Sequence, residues 1–189
     1  MSKRVNSTGC HLFGARRTDA TTASGYPAKA VAGFPADTVI WALDQGGVSQ
    51  QPDLVVSGIN LGQNLGPAVA ISGTVGAAKV AAARGIPALA ASQGLADPPD
   101  YPSGVDEVLS WLELHRAEVL EGNLPASVTN LNVPTCPTSA VRGVVEEPVA
   151  PDAGERNAVI VDCLSTKAEF VDDIDAFING YVVISNVAA

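Results

Sequence analysis

The stretch that most constrains this fold is residues 52–87, where two short apolar runs flank a glycine-rich loop and an alanine-rich segment. The first run, Asp53-Leu-Val-Val-Ser57, lies between Pro52 and Gly58 and shows no polar alternation. That pattern predicts a parallel strand covered on both faces. The loop that follows carries glycines at 58, 62, 66 and 73 and asparagines at 60 and 64. Residues 74–84 are rich in strong helix formers and are closed by Gly85. Residues 86–92 read as the next strand. Strand, loop, helix and strand in that order make a βαβ unit, whose crossover is expected to be right-handed. The chain is thereby committed to an α/β architecture.

The flanking segments fit that frame. Pro35 suits a first helical turn and Asp37 the positive end of a helix, while Val39, Ile40 and Leu43 repeat at helical spacing and Gly46-Gly47 ends the element. Residues 105–121 form a second amphipathic helix, with Ser103 as a plausible cap and Val105, Val108, Leu109 and Leu112 on one face. Thr129-Asn-Leu-Asn-Val133 is a further strand. Residues 141–145, 158–164 and 181–185 read as strands, and residues 174–178 as a brief helix. The expected organisation is one domain of 189 residues: an irregular N-terminus over 1–27, an α/β core over 28–139 and a β-rich extension over 140–189.

Composition narrows the function classes. Hydrophobic residues make up 47% and charged residues 16%, as in a compact globular chain. A net charge of -9 argues against a nucleic-acid polymer as partner, which needs clustered Lys and Arg. Small nucleotides remain open, because backbone amides and a metal can hold them. No apolar run reaches the ~18 residues of a membrane span, and the N-terminus lacks the apolar core of a signal peptide. A cytoplasmic location is expected, with Cys10, Cys136 and Cys163 as reduced thiols.

The loop carries the chemistry. A strand ending in Ser57-Gly58-Ile59-Asn60 delivers Asn60 to the carboxyl edge of the sheet, where open parallel sheets bind ligands. Its amide oxygen is a hard neutral donor suited to Mg²⁺ or Mn²⁺ and too weak to hold either alone. Equally, Asn60 could cap the turn. Ser72-Gly73-Thr74 lies where loop becomes helix, so free amides, two hydroxyls and the helix dipole make an anion site, an ordinary N-cap, or both. Neither the P-loop motif nor G-x-G-x-x-G is present, which argues against a P-loop NTPase and a nicotinamide-dependent oxidoreductase. His11 and His115 are isolated, His115 on a solvated helix face. Asp172, Asp173 and Asp175 suggest a metal cluster or a solvated turn opening a short helix, and the spacing favours the turn.

Pro52-Asp-Leu-Val-Val-Ser-Gly-Ile-Asn60, Gly62-Gln-Asn-Leu-Gly66, Ser72-Gly-Thr-Val-Gly-Ala-Ala78 and Gly85-Ile-Pro-Ala-Leu89 closely resemble the SurE family (survival protein E, the 5′/3′-nucleotidases). Gly33-Phe-Pro-Ala-Asp-Thr-Val39, Asn130-Leu-Asn-Val-Pro134 and the stretch from Asp175 through Gly180-Tyr-Val-Val-Ile-Ser185 look like further landmarks, so the resemblance covers about residues 28–187. It implies a Rossmann-like three-layer fold with a parallel sheet and a β-rich C-terminal extension that mediates homodimers or homotetramers. It implies a divalent-metal-dependent phosphatase of nucleoside monophosphates. By position, Asn60 resembles the metal ligand, and Asn64, Ser72, Gly73 and Thr74 the phosphate-binding groups.

One departure matters. The family opens with a strand ending in N-D-D-G, whose aspartates hold the metal, and a Ser-Gly after the second strand adds a ligand. The sequence contains no N-D-D-G, and Ser24-Gly25 lies too close to Gly33 to be that Ser-Gly. The catalytic residues are therefore unassigned. The expectation is an N-terminally incomplete chain, with Met1 an internal or wrong start or the gene a fragment. It lacks a central strand, leaving the 53–57 strand with an open edge, and its phosphatase activity is impaired. The alternative is a non-catalytic relative, a phosphate-binding or oligomerisation module.

Overall fold

The computed structural model describes residues 16–137 and 140–189. Its centre is a five-stranded sheet in the order β3-β4-β5-β7-β6, formed by β3 (Val55–Leu61), β4 (Ala88–Gln93), β5 (Val128–Val133), β6 (Val144–Glu146) and β7 (Val182–Val187). Strands β3, β4 and β5 are mutually parallel, β7 runs antiparallel to β5, and β6 is parallel to β7. The expected α/β fold is present, with a mixed rather than wholly parallel sheet.

The three layers follow from alternation along β4, which is buried at every position. Ala88 and Ala90 pack with Val75, Ala78 and Ala81 of α2 (Gly73–Ala82), against which Val39 and Leu43 of α1 (Pro35–Asp44) also rest. Leu89 and Ala91 point the other way, to Val108 and Trp111 of α3 (Tyr101–Leu114). The alanines of α2 do more than favour the helix. Their small side chains bring its axis close to a strand face that is itself alanine-rich.

Several elements differ from the sequence reading, each for a local reason. Within the segment expected to be irregular, β1 (Arg17–Thr21) and β2 (Pro27–Val31) form an exposed antiparallel hairpin. An Asp19–Lys29 ion pair joins its strands, and the Arg17 guanidinium lies 5.8 Å from the Trp41 ring of α1. The long second helix breaks at His115, giving α3 and a short α4 (Arg116–Leu120). Its cap is Asp100, whose carboxylate accepts from the amide and hydroxyl of Ser103. His115 is not simply solvated: its ring packs on Trp111 at 4.5 Å and its Nδ1 meets Glu118 at 2.8 Å.

The expected β-rich extension is not separate. Strands β6 and β7 complete the main sheet. Residues 158–164 form turns instead of a strand. Side chains there capture the backbone: Asn157 Oδ1 accepts from Val159 N, Asp162 Oδ1 from Leu164 N, and Gln63 Nε2 donates to the Ala158 carbonyl. Such local bonds compete with a ladder and here prevail.

The cysteine expectation also changes. Cys136 and Cys163 are joined as a disulfide, with Cα atoms 5.8 Å apart, while Cys10 lies outside the described residues. The fold alone brings together thiols 27 residues apart in sequence. No helix of the described residues is long and apolar enough to cross a membrane.

Among the described residues, β3 ends the five-stranded sheet. Its register shifts between Ser57 and Asn60. Gly58 sits there at φ 130°, and a Cβ on it would lie 2.4 Å from the Ala91 carbonyl oxygen. Both facts require glycine. Gly58→Ala is expected to lower the unfolding free energy by about 2–4 kcal/mol, measured by urea denaturation. A change below 0.5 kcal/mol, the level of about a neutral surface substitution, would show that β3 can shift away from β4.

Candidate phosphate and metal site

The site is built from the carboxyl end of β3 and the loop that carries the chain to α2. Asn60, half-buried in β3, donates from Nδ2 to the Gly62 carbonyl at 2.7 Å. The turn-capping role is therefore real. It also orients the amide: Nδ2 is committed to the chain, and Oδ1 takes no hydrogen bond among the described residues. That oxygen is the atom a hard cation would take. It is a single neutral donor, however. Among the described residues no group of three or more His, Cys, Asp or Glu could hold a metal ion. Taken alone, these residues do not fit a Mg²⁺ or Mn²⁺ centre, which needs carboxylates beside neutral oxygens.

Asn64 serves the loop rather than its surface. It is 8% exposed, and its backbone and side chain are both engaged with the sheet. Its amide N–H donates to Asn132 Oδ1 at 2.7 Å and its Nδ2 to Ser92 Oγ at 2.7 Å. Its carbonyl accepts from Asn130 Nδ2 at 2.8 Å and from Asn132 Nδ2 at 3.3 Å. Loop, β4 and β5 are thus tied by a buried polar cluster. Removing one partner would leave a desolvated group unpaired, a loss of about 1–3 kcal/mol. Ser92, Asn130 and Asn132 were not singled out as site residues from the sequence. Two asparagines spaced by two in an otherwise apolar strand were the available signal, because they share one face.

Two residues further on, Gly66 opens a 3₁₀ turn (Gly66–Ala70) at φ 50°, where a Cβ would stand 2.8 Å from Ile174 Cδ1. Its amide donates to Asp173 Oδ2 at 2.8 Å, and Ala150 N donates to Asp173 Oδ1 at 2.9 Å. The acidic triplet therefore forms neither a metal cluster nor a solvated turn, since all three carboxylates are buried. Asp172 caps α5 (Asp173–Ile178) and pairs with Arg156; Asp175 takes the Lys167 ammonium at 2.7 Å.

Ser72 is the N-cap of α2, its hydroxyl accepting from Val75 N at 3.1 Å. The Gly76 amide bonds the Ser72 carbonyl at 2.9 Å. The Gly73 and Thr74 amides remain at the mouth of a ten-residue helix, where no intrahelical acceptor exists and the dipole is positive. Gly73 is exposed and Thr74 half-buried. The α1 start stands alongside, with Pro35 Cγ 3.2 Å from where a Gly73 Cβ would be. The structure thus assigns Ser72 to capping, leaves Gly73 and Thr74 open to an anion, and places Asn64 beneath the loop.

At the carboxyl edge of this α/β sheet a clamped glycine-rich loop leads into an open helix mouth, a geometry in which anions can be held. Residues 4–152 match the family "Survival protein SurE". The match begins ahead of residue 28 and ends before Gly180-Tyr181, so its span differs from the 28–187 marked by the motifs. A relative from Sorangium cellulosum named 5′-nucleotidase SurE is 44% identical over 117 residues, covering 60% of this chain and 44% of its own. Another of that name from Leptospira biflexa is 37% identical over 155 residues, covering 82% and 59%. The crystal structure of the SurE protein from Aquifex aeolicus superposes with a TM-score of 0.67 at 24% identity, covering 93% of this chain and 75% of its own, a likeness of fold. The chain belongs to the SurE family. It spans about half the length of the curated relatives it matches.

Burial pushes the Asp173 carboxyl above its usual range; the Gly66, Ala150 and Ile174 amides draw it part of the way back, while the Asp172 charge adds to the rise. A raised folded-state value means that the stabilising contribution is complete below the ordinary 3.8 and is lost as pH rises through the folded value. The stability advantage of the native protein over Asp173→Asn should therefore be largest at acid pH and shrink toward neutrality. Urea titrations of both proteins across that range check the sign. An advantage that grows with pH would mean the three amide bonds outweigh burial.

Proposed function

We propose that this chain binds nucleoside monophosphates as the substrate-holding portion of a SurE-type phosphatase. The phosphoryl group rests on the Gly73 and Thr74 amides and the Thr74 hydroxyl. The observation that carries this reading is the helix mouth, with two amides left over after Ser72 has capped the helix. The loop leading to it cannot drift, because Asn64 and Gly66 anchor it to buried side chains. The relatives' name, 5′-nucleotidase, supplies the substrate class. Asn64 supports the phosphate site from below by fixing the backbone.

In this reading Asn60 Oδ1 is one ligand of a magnesium or manganese ion, which would supply charge to the transferring phosphoryl. The described residues do not complete such a site, and we assign no catalytic base. Phosphate binding at the helix mouth is expected with or without metal. Isothermal titration of phosphate should give the same affinity in EDTA, and Thr74→Val should weaken it by about tenfold, the loss of one hydrogen bond to a charged group. Unchanged binding in the variant would exclude Thr74 as a phosphate contact.

Hydrolysis is a separate question, and here the second reading of a binding module is favoured by the single neutral metal donor. Release of phosphate from adenosine 5′-monophosphate by the 189-residue chain with Mn²⁺ is expected to be near background. Robust metal-dependent turnover would overturn that and show that this chain holds a complete centre.

A further inference from the structure

A concavity opens at the carboxyl ends of β4 and β5, with Gln63 of the loop in its lining. It has a volume of about 320 Å³, within the range of small-molecule sites. One wall is the segment after β4, carrying Leu95 and Asp97; the opposing wall is the turn segment with Val159 and Val161. Leu95 and Val159 are 49% and 56% exposed, large for apolar side chains. The fully buried Phe177 lies in the floor, its Cζ 3.2 Å from where a Gly94 Cβ would be, so glycine lets the backbone approach the ring.

Gln63 ties the walls together. Its Nε2 donates to the Ala158 carbonyl at 2.6 Å, and its Oε1 accepts from Leu95 N at 3.3 Å. The Cys136–Cys163 disulfide makes a second tie, from the strand end after β5 to the turn segment. The cleft is a fixed feature rather than a gap between loose loops. It is also continuous with the site described above, because a Cβ on Gly62, whose carbonyl holds Asn60, would lie 3.7 Å from Leu95 Cδ2.

The lining specifies the guest. Among the described residues Asp97 is its only ionisable side chain, so that lining offers a phosphate no cation and one repelling charge. Apolar jaws above an aromatic floor suit a flat, neutral ring. A rim carboxylate accepts hydrogen bonds, which suits the amino group of a base or the hydroxyls of a ribose. We infer that this cleft is the nucleoside subsite, taking the base and sugar of a nucleotide whose phosphate sits at the α2 mouth. The inference rests on the phosphate reading above and adds to it a place for the rest of the substrate.

Equilibrium dialysis with three probes tests it: inorganic phosphate, adenosine and adenosine 5′-monophosphate, on the native chain, Val159→Asp and Leu95→Asp. Both substituted positions are exposed, and circular dichroism confirms that each variant keeps its fold. The expected result is that both variants weaken adenosine and the nucleotide by about tenfold or more, roughly 1.4 kcal/mol, and leave phosphate unchanged. Phosphate binding with no effect of either variant on adenosine or nucleotide would overturn the cleft and spare the helix mouth. Adenosine binding lost in the variants with no phosphate binding would support the cleft and overturn the helix mouth. A dimer that dissociates in the variants, with adenosine unbound, would assign the surface to a second copy and overturn the inference.

Discussion

The structure turns on the buried cluster around Asn64. A glycine-rich loop has no side chains with which to hold itself, and its backbone groups must be satisfied by something else. Here Asn132 and Asn130 hold its N–H and carbonyl, and Ser92 holds its side chain, all from the ends of two neighbouring strands. This converts a flexible segment into part of the sheet. The α2 mouth, the Asn60 turn and the floor of the neighbouring cleft all inherit their positions from it.

The cluster also changes how the family motif is understood. Within Gly62-Gln-Asn-Leu-Gly66, each residue does a different task. Gly62 receives the Asn60 amide, Gln63 spans the cleft, Asn64 joins two strands, Leu65 enters the lower core and Gly66 meets Asp173. Asn60 Oδ1 and the Gly73 and Thr74 amides, by contrast, take no partner within the loop and helix. The remaining polar residues act one layer below, through the backbone they hold.

Much of the core was legible in the sequence because its signals are local. The unalternating 53–57 run, the glycine stops at 46 and 85 and the alanine-rich α2 each report on neighbours within a few residues, and each element appears close to its expected place. What could not be read were outcomes that depend on distant partners. Residues 158–164 have strand composition and are bent by their own Asn157 and Asp162 and by Gln63, which lies 95 positions away from Ala158. Asp173 looked like a surface acid because nothing near it in sequence announces Gly66. The disulfide likewise needed the fold to bring its halves together. At the candidate site the loop residues themselves were visible in the sequence and their buried supports were not. Asn64 shows why: nothing near it in sequence announces the Ser92, Asn130 and Asn132 partners that bury it.

The bond from Gly66 to Asp173 has a consequence for how the chain is made. Its two ends are separated by 107 positions, so the carboxylate that fixes the loop is made long after the loop itself. Until then β3, α2 and β4 can form as a local unit, but the turn before α2 has no anchor. The loop is thus secured only after residue 173 has been made, and a nascent or clipped chain that lacks it carries the motif without that anchor.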